Sequence, residues 1–386
     1  MNKTAPTADR GDPNKMNICP VTSRRDLLEF IEFPYELYRH DAVWVPPLRS
    51  EQRKQFDAKT NPFLDHCDWR LFLLKDQGKT MGRVAAFVDN IAVDFWQERI
   101  GHFGYFECLP DKAAAALLLE AARNWLKEQR CTMMRGPWSF VAQEIGMVVE
   151  GFEPSPVLMA PYNPPHYQDF MTDFGLHKAK DLLCWYISMA EGYKIPQRIL
   201  TLTDAVAKRY GVSIRPMDMK AYDRDVQIFT ELSNHSINAN WGFSPVTVAE
   251  ANAIAQDMKQ IIQPKGVLFA EDKNGRPIGF AVTLPDINSL LKGLRGRLFP
   301  FGFIKLLWGI PRLRRYRMFA LGVIPEFQGK AVDSLLYRAL NESLATPDMW
   351  MEINYVLEDN WPMVNAIEKL GAKPLRRYRV YELDIA

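Results

Sequence analysis

Met318-Phe319-Ala320-Leu321-Gly322-Val323-Ile324-Pro325-Glu326-Phe327-Gln328-Gly329-Lys330-Ala331-Val332-Asp333-Ser334-Leu335-Leu336 is the stretch that decides how the chain is read. An apolar strand runs through a proline into a glycine-containing loop, and the loop opens an apolar helix. A helix start leaves backbone N–H groups unpaired and adds the positive end of the helix dipole, so a phosphate can be held there without any particular side chain. The stretch predicts an anion cradle between Gln328 and Asp333.

Around it, 386 residues suit two domains of ordinary size, and 47% hydrophobic with 24% charged residues is the balance of a soluble globular protein. A formal net charge of +2 predicts no general attraction to nucleic acid. Cys19, Cys67, Cys108, Cys131 and Cys184 are scattered without C-x-x-C spacing. That suggests neither a disulfide framework nor a metal site, and it fits a reducing cytoplasm. Residues 1–15 are polar and lack the apolar core of a signal peptide, so they read as a disordered lead. No run of about 18 apolar residues is present to span a bilayer.

The two halves carry similar orders of element. Met81–Val88 and His102–Glu107 read as strands, followed by an amphipathic helix over Ala113–Gln129. Pro277–Thr283 and Arg317–Val323 are their counterparts, followed by the Gly329 loop and a helix to about Leu344. Each half then supplies another strand, at Thr132–Arg135 and Met349–Val356, a helix opened by Asn, and a closing strand. Asn163 precedes Phe174-Gly175-Leu176 much as Asn360 precedes Leu370-Gly371-Ala372. The pattern predicts a tandem repeat, with copies at 16–190 and 198–386 and a spacer at Ala190–Pro196 that few contacts cross. In the second copy Val212–Arg215 and Gly266–Glu271 add strands, and Tyr222–His235 and Val246–Ile262 add helices.

With these elements in place, the loop resembles the pyrophosphate loop of the GNAT N-acyltransferases, roughly Val-x-Pro-x-x-Gln/Arg-Gly-x-Gly-x-Gly/Ala. Val323, Pro325, Gln328 and Gly329 match; Ala331 and Asp333 stand where that family has glycine or a very small residue. Asn360 to Gly371 resembles the family's second motif. The resemblance implies an α+β fold of two GNAT-like domains, each a mixed, mostly antiparallel twisted sheet flanked by helices. It implies that acetyl-CoA or a longer acyl-CoA lies along Leu321, Gly322 and Val323. Gln328, Gly329, Lys330, Ala331, Val332 and Asp333 would then line its diphosphate, with the Asn360 helix beneath. The implied reaction moves an acyl group from CoA to an amine of a small molecule, amino acid or peptide. An aspartate in a helix's first turn complements the dipole and occupies donors a phosphate needs. A GNAT-like protein that binds a ligand or partner and catalyses nothing therefore stays open as the alternative.

Many family members place a tyrosine four residues before the helix-ending glycine, as proton donor to the leaving thiolate. Here those positions are Ile367 and Met171. Acyl transfer also needs an amine stripped of its proton. Glu352 shares a face with Trp350 and Asn354 by the two-residue strand period and is the candidate base, a solvent-facing strand glutamate being the plain alternative. Tyr355, Tyr378 and Tyr381 are candidate substitutes for the missing acid, or packing aromatics.

The first copy's counterpart of the phosphate loop, Leu109–Ala116, contains no glycine, so this copy reads as CoA-free. Its Gly/Pro-rich loops, with Arg135, Trp138 and Tyr162, suit a pocket wall or a domain interface. No acidic residue occurs between Asp286 and Glu326, where eight Lys and Arg alternate with Leu, Phe, Ile and Trp. This basic amphipathic insert, 288–317, suits a lid over an acyl chain, a grip on CoA phosphates, or peripheral contact with anionic lipid through 290–317.

Overall fold

A computed structural model describes residues 16–140 and 144–386; the N-terminal lead at 1–15 lies outside the described residues. Seven strands come from the first half: β1 (Asn17–Pro20), β2 (Cys67–Asp76), β3 (Lys79–Asp89), β4 (Ile100–Cys108), β5 (Met133–Gly136), β6 (Met147–Glu150) and β7 (His177–Ser188). The second half adds β8 (Ser213–Pro216), β9 (Val267–Glu271), β10 (Pro277–Pro285), β11 (Arg315–Val323), β12 (Trp350–Leu357) and β13 (Lys373–Asp384). They form one sheet in the order β1-β2-β3-β4-β5-β13-β7-β12-β11-β10-β9-β8, with β6 also on β13. Pairing is antiparallel except for β4 with β5 and β11 with β12, which are parallel. The two GNAT-like domains of the sequence reading are present as two such halves.

The closing strands are exchanged. β7 lies beside β12, β13 lies beside β5, and the two pair with each other from Lys373↔Tyr186 to Glu382↔His177. Side-chain packing follows the exchange: Tyr381 and Ile385 sit in the first half's core with Phe103 and Leu118, while Trp185 and Ile187 sit in the second's with Leu336 and Ile353. On the seam, the buried Asp181 carboxylate accepts hydrogen bonds from Arg379 Nε at 2.8 Å and Arg377 NH1 at 3.2 Å. The hydrophobic flanks of the spacer suit copies that pack closely rather than swing apart, and a continuous ladder joins the halves. Each copy's last strand completes its sister's sheet, and no local pattern encodes that.

Several helices begin where side chains satisfy their first amides. Ser23 with Asp26, and Thr247 with Glu250, form capping boxes for Arg24–Leu37 and Val248–Met258. Asp111 caps Lys112–Glu128 and Asn360 caps Trp361–Lys369. Gln197–Tyr210 has no side-chain cap and escapes the sequence reading. Ile367 and Met171 are both fully buried in the cores.

One buried polar cluster stands out in the first half. Glu107 on β4 accepts hydrogen bonds from the hydroxyls of Tyr38 and, at 3.1 Å, Tyr167. Nearby Arg83 donates to the Phe30 carbonyl at 2.8 Å. Burial pushes the Glu107 carboxyl up to about 7, against the opposing pull of Arg83.

Two outcomes are expected. A chain ending at Ala372 leaves β5 and β7 without their shared neighbour and should lose the cooperative transition in calorimetry for both halves. Glu107 binds its proton more tightly folded than unfolded, so the folded state holds a proton the unfolded chain has released between about pH 4.5 and 7. Its contribution is complete below that window and is lost as pH rises through it. Glu107→Gln should therefore gain stability relative to wild type across the same window in urea titrations, with no relative gain if the carboxyl titrates normally.

Candidate functional site

β11 and β12 part company midway. Their parallel ladder runs from Arg315↔Trp350 to Met318↔Ile353 and stops, while β11 continues to pair with β10 as far as Val323. From Phe319 to Val323 the β11 backbone thus has no strand partner on its β12 side among the described residues. Phe319, Ala320 and Leu321 are half-buried there. On the other side Gly322 packs so close to Ser236 and Phe280 that a Cβ would collide with both.

The first half repeats the fork and fills it. β4 and β5 stop pairing at His102↔Arg135, and the chain beyond β5 turns into the gap. Trp138 N–H donates to the Phe103 carbonyl at 2.8 Å, and the Phe140 amide donates to the Tyr105 hydroxyl at 3.0 Å. Gly104 is what admits this segment, because any Cβ there would run into the Trp138 carbonyl. The following helix start is already served by an anion, since Asp111 accepts from the Ala114 amide at 3.0 Å.

The second half's helix start is different. Gln328 Nε2 donates to the Val323 carbonyl at 2.9 Å, tying the loop to the strand end. Gly329 turns with φ +71° in open space, and Ala331 takes a left-handed φ of +58°. That conformation is native to glycine and costs a non-glycine residue about 1 kcal/mol. The loop keeps its glycine-type shape although the glycine is gone. No side chain caps the helix Val332–Leu344. The amides of Gly329, Ala331 and Val332 donate to no protein group among the described residues. Asp333 is half-buried; burial raises its carboxyl above the usual range, opposed by the amides of Ser334 and of Asp333 itself. Lys330 Nζ lies over the Phe327 and Tyr210 rings, at 4.7 and 5.4 Å.

Behind the open fork lie two cavities of about 610 and 790 Å³. Arg317, Phe319, Ala320 and Tyr355 line the smaller. The larger extends past Glu144 and Glu107 to the insert, where Leu298, Phe303, Leu306 and Leu307 form its wall. Phe63, Trp138, Met159 and Met258 belong to both, so the two spaces adjoin. Both are of the size that takes a small organic ligand and are mainly apolar in lining.

The candidate catalytic residues gather in one buried cluster, but only Tyr355 borders a cavity. Its hydroxyl is buried without a hydrogen-bond partner among the described residues. The Arg317 guanidinium sits 5.1 Å from its ring and the Tyr378 ring 5.1 Å away, edge-on. Burial holds the phenol well above its ordinary value, against Arg317. Glu352 is fully buried: Asn354 Nδ2 donates to its Oε1 at 2.6 Å, and Arg317 Nε donates to Asn354 Oδ1 at 2.8 Å. Burial raises Glu352, with Arg376 and Arg317 countering. Tyr378 is equally buried and accepts from Arg376 NH1 at 3.0 Å. Tyr381 belongs to the first half's core. Glu144, which no spacing or motif signals, lies on the larger cavity; burial raises it, with Arg317 and Arg83 opposing.

The first half's loops serve as pocket wall and interface together. Leu158 accepts from Arg317 NH1 at 2.6 Å through its carbonyl, and its amide donates to Asp286 Oδ1 at 2.9 Å. Arg135 donates to Glu382 and lies 4.9 Å from the Trp241 ring, and the Tyr162 hydroxyl donates to Asp41. His66, Cys67 and Asp89 offer ligand atoms within 4.8 Å of one another. Burial would lower His66, but its neighbours Asp89, Cys67 and Glu250 raise it to about 12. His66 Nδ1 lies 3.0 Å from Asp89 Oδ1 and Nε2 lies 3.5 Å from Glu250 Oε1, so the ring stands between carboxylates of the two halves.

No family model matches the chain. Protein YghO of Escherichia coli is 34% identical over 371 residues, covering 94% of this chain and 94% of its own. A bacterial ceramide synthase of Caulobacter vibrioides is 33% identical over 381 residues, covering 95% of this chain and 97% of its own. Among solved structures, a tandem GNAT protein from the clavulanic acid biosynthesis pathway superimposes with a TM-score of 0.55 at 12% identity, over 96% of this chain and 99% of that one. The glucosamine N-acetyltransferase region of a fungal β-N-acetylglucosaminidase gives 0.58 at 14%; the chain spans 39% of that longer protein. These two likenesses speak for the fold. Exchanged sheet, open fork and full-length kinship together lead to one conclusion: the chain has the fold of a tandem GNAT protein and belongs to the family that includes YghO and the Caulobacter protein named a bacterial ceramide synthase.

Proposed function

We propose that the protein is an acyl-CoA-dependent N-acyltransferase whose acceptor is the amine of a long-chain molecule. The observation that carries the reading is the open fork between β11 and β12 with two adjoining apolar cavities behind it. Acyl-CoA supplies an activated thioester. The unpaired edge at Leu321, Gly322 and Val323 suits strand-like pairing with a pantetheine amide, and the amides of Gly329, Ala331 and Val332, with Lys330 beside them, suit a diphosphate. The first half, its fork filled by Trp138 and its helix start capped by Asp111, supports a single CoA site.

Two residues at the cavities have the chemistry for the two proton transfers. Glu144 accepts the proton of the attacking amine as the new C–N bond forms, and Tyr355 donates one to the sulfur as the C–S bond breaks; solvent restores both. A carboxyl raised by burial is a better base near neutral pH than an ordinary one. The Caulobacter relative is called a ceramide synthase, and a ceramide is an acyl chain joined by an amide bond to a long-chain amine. Two confluent apolar spaces match two chains meeting at one amide.

Calorimetry with CoA, acetyl-CoA and palmitoyl-CoA, followed by thiol release with sphinganine as the probe amine, tests the reading. Affinity weaker than millimolar for all three would remove it, and tight binding without turnover would favour the non-catalytic alternative. Tyr355→Phe and Glu144→Gln should each lower kcat by about 10²-fold with acyl-CoA affinity unchanged. Asp333→Asn should tighten CoA up to about fivefold by removing a negative charge from the helix start, and no change would show that the carboxylate already stands clear.

A further inference from the structure

The insert's tip carries an apolar and cationic surface that neither core uses. Of the large hydrophobic residues left exposed, six fall within ten positions: Phe299, Phe301, Phe303, Ile304, Leu307 and Trp308. Phe299 and Phe301 are 78% and 74% exposed, and Trp308 is 68% exposed. Around them Lys292, Arg295, Arg297, Lys305 and Arg312 are all exposed, and none is ion-paired among the described residues. Within the insert only Arg315, at its root, meets a carboxylate, that of Asp286 at 2.8 Å.

The root is pinned and the tip is free. Arg49 NH1 donates to the Arg295 carbonyl at 2.8 Å, and its own amide donates to the Gly296 carbonyl at 3.1 Å. Lys292 Nζ donates to Ser155 Oγ at 3.0 Å. Phe303 and Leu307 are exposed and also line the larger cavity, so the tip is the rim of that cavity.

We infer that the insert, 288–317, docks the protein on an anionic lipid bilayer through its tip and that the larger cavity opens toward it. Exposed aromatic and aliphatic side chains flanked by unpaired cations are what an interfacial segment presents to acyl chains and headgroup phosphates. No helix among the described residues is long and apolar enough to cross a membrane, so the contact is a surface one. A second copy is the poorer occupant, because a self-complementary interface through this patch would set its cations against each other. The docking stands on these observations alone; delivery of a lipid substrate through the rim rests on the acyl-transfer reading.

The full chain is sedimented with vesicles of phosphatidylcholine, and with vesicles that also contain phosphatidylglycerol. Binding to the anionic vesicles is expected, weaker by severalfold on the neutral ones and lost in high salt. Arg295→Ala/Arg297→Ala/Arg312→Ala should weaken partition about fivefold per charge removed. Phe299→Ser/Phe301→Ser/Trp308→Ser should weaken it at least about tenfold. Wild type remaining in the supernatant with both vesicles, or both variants pelleting like wild type, overturns the inference. So does dimerisation in ultracentrifugation that the aromatic variant abolishes without any vesicle binding. Vesicle binding reads no turnover, so a failure of the acyl-transfer reading is seen separately, in thiol release.

Discussion

The antiparallel ladder between β7 and β13 is the constraint on which the other features depend. Because each closing strand lies in its sister's half, the halves cannot rotate against each other without breaking backbone hydrogen bonds. Asp181, buried beneath Arg377 and Arg379, fixes the register of that seam, since a one-residue slip would turn the carboxylate to the opposite face. The cavities exist only in this arrangement. Their shared walls combine Trp138 and Met159 from the first half with Met258 from the second, and the first half's loop reaches across to hold Arg317 by the Leu158 carbonyl.

The same topology is put to two uses. A parallel pair that stops early leaves a notch in either half, and what happens next is decided by a few atoms. In the first half Gly104 lets the Trp138 backbone into the notch, and a carboxylate closes the helix start. In the second half Gly322 yields its space to Ser236 and Phe280 on one side, so the strand is braced while its other edge stays open. Ala331 holds the left-handed turn without a glycine, which keeps the loop's amides pointing outward.

Local signals in the sequence were reliable, and distant pairings were not readable from them. The apolar run around Ala320 and the turn at Gly329 identify strand, loop and helix, because each is set by neighbours in the chain. The two-residue period also puts Glu352 and Asn354 on one face, and they are bonded there. That period carries no information on depth, and Glu352 lies fully buried among cations. The strand exchange leaves no trace in spacing, since either closing strand has the same apolar character. Glu144 was invisible for a related reason: its position on the cavity is created by the first half's loop folding over the second half's sheet, with no motif around it.

The exchange also bears on how the polypeptide is made. The N-terminal half leaves the ribosome first, yet β5 and β7 wait for a neighbour that lies far downstream in the chain, Lys373–Asp384. Synthesis runs at about 5–20 residues per second, so a half-built sheet with open edges persists for roughly ten seconds or more before its last strand arrives. Until that strand emerges, the edges of β5 and β7 that it covers in the finished fold stay bare.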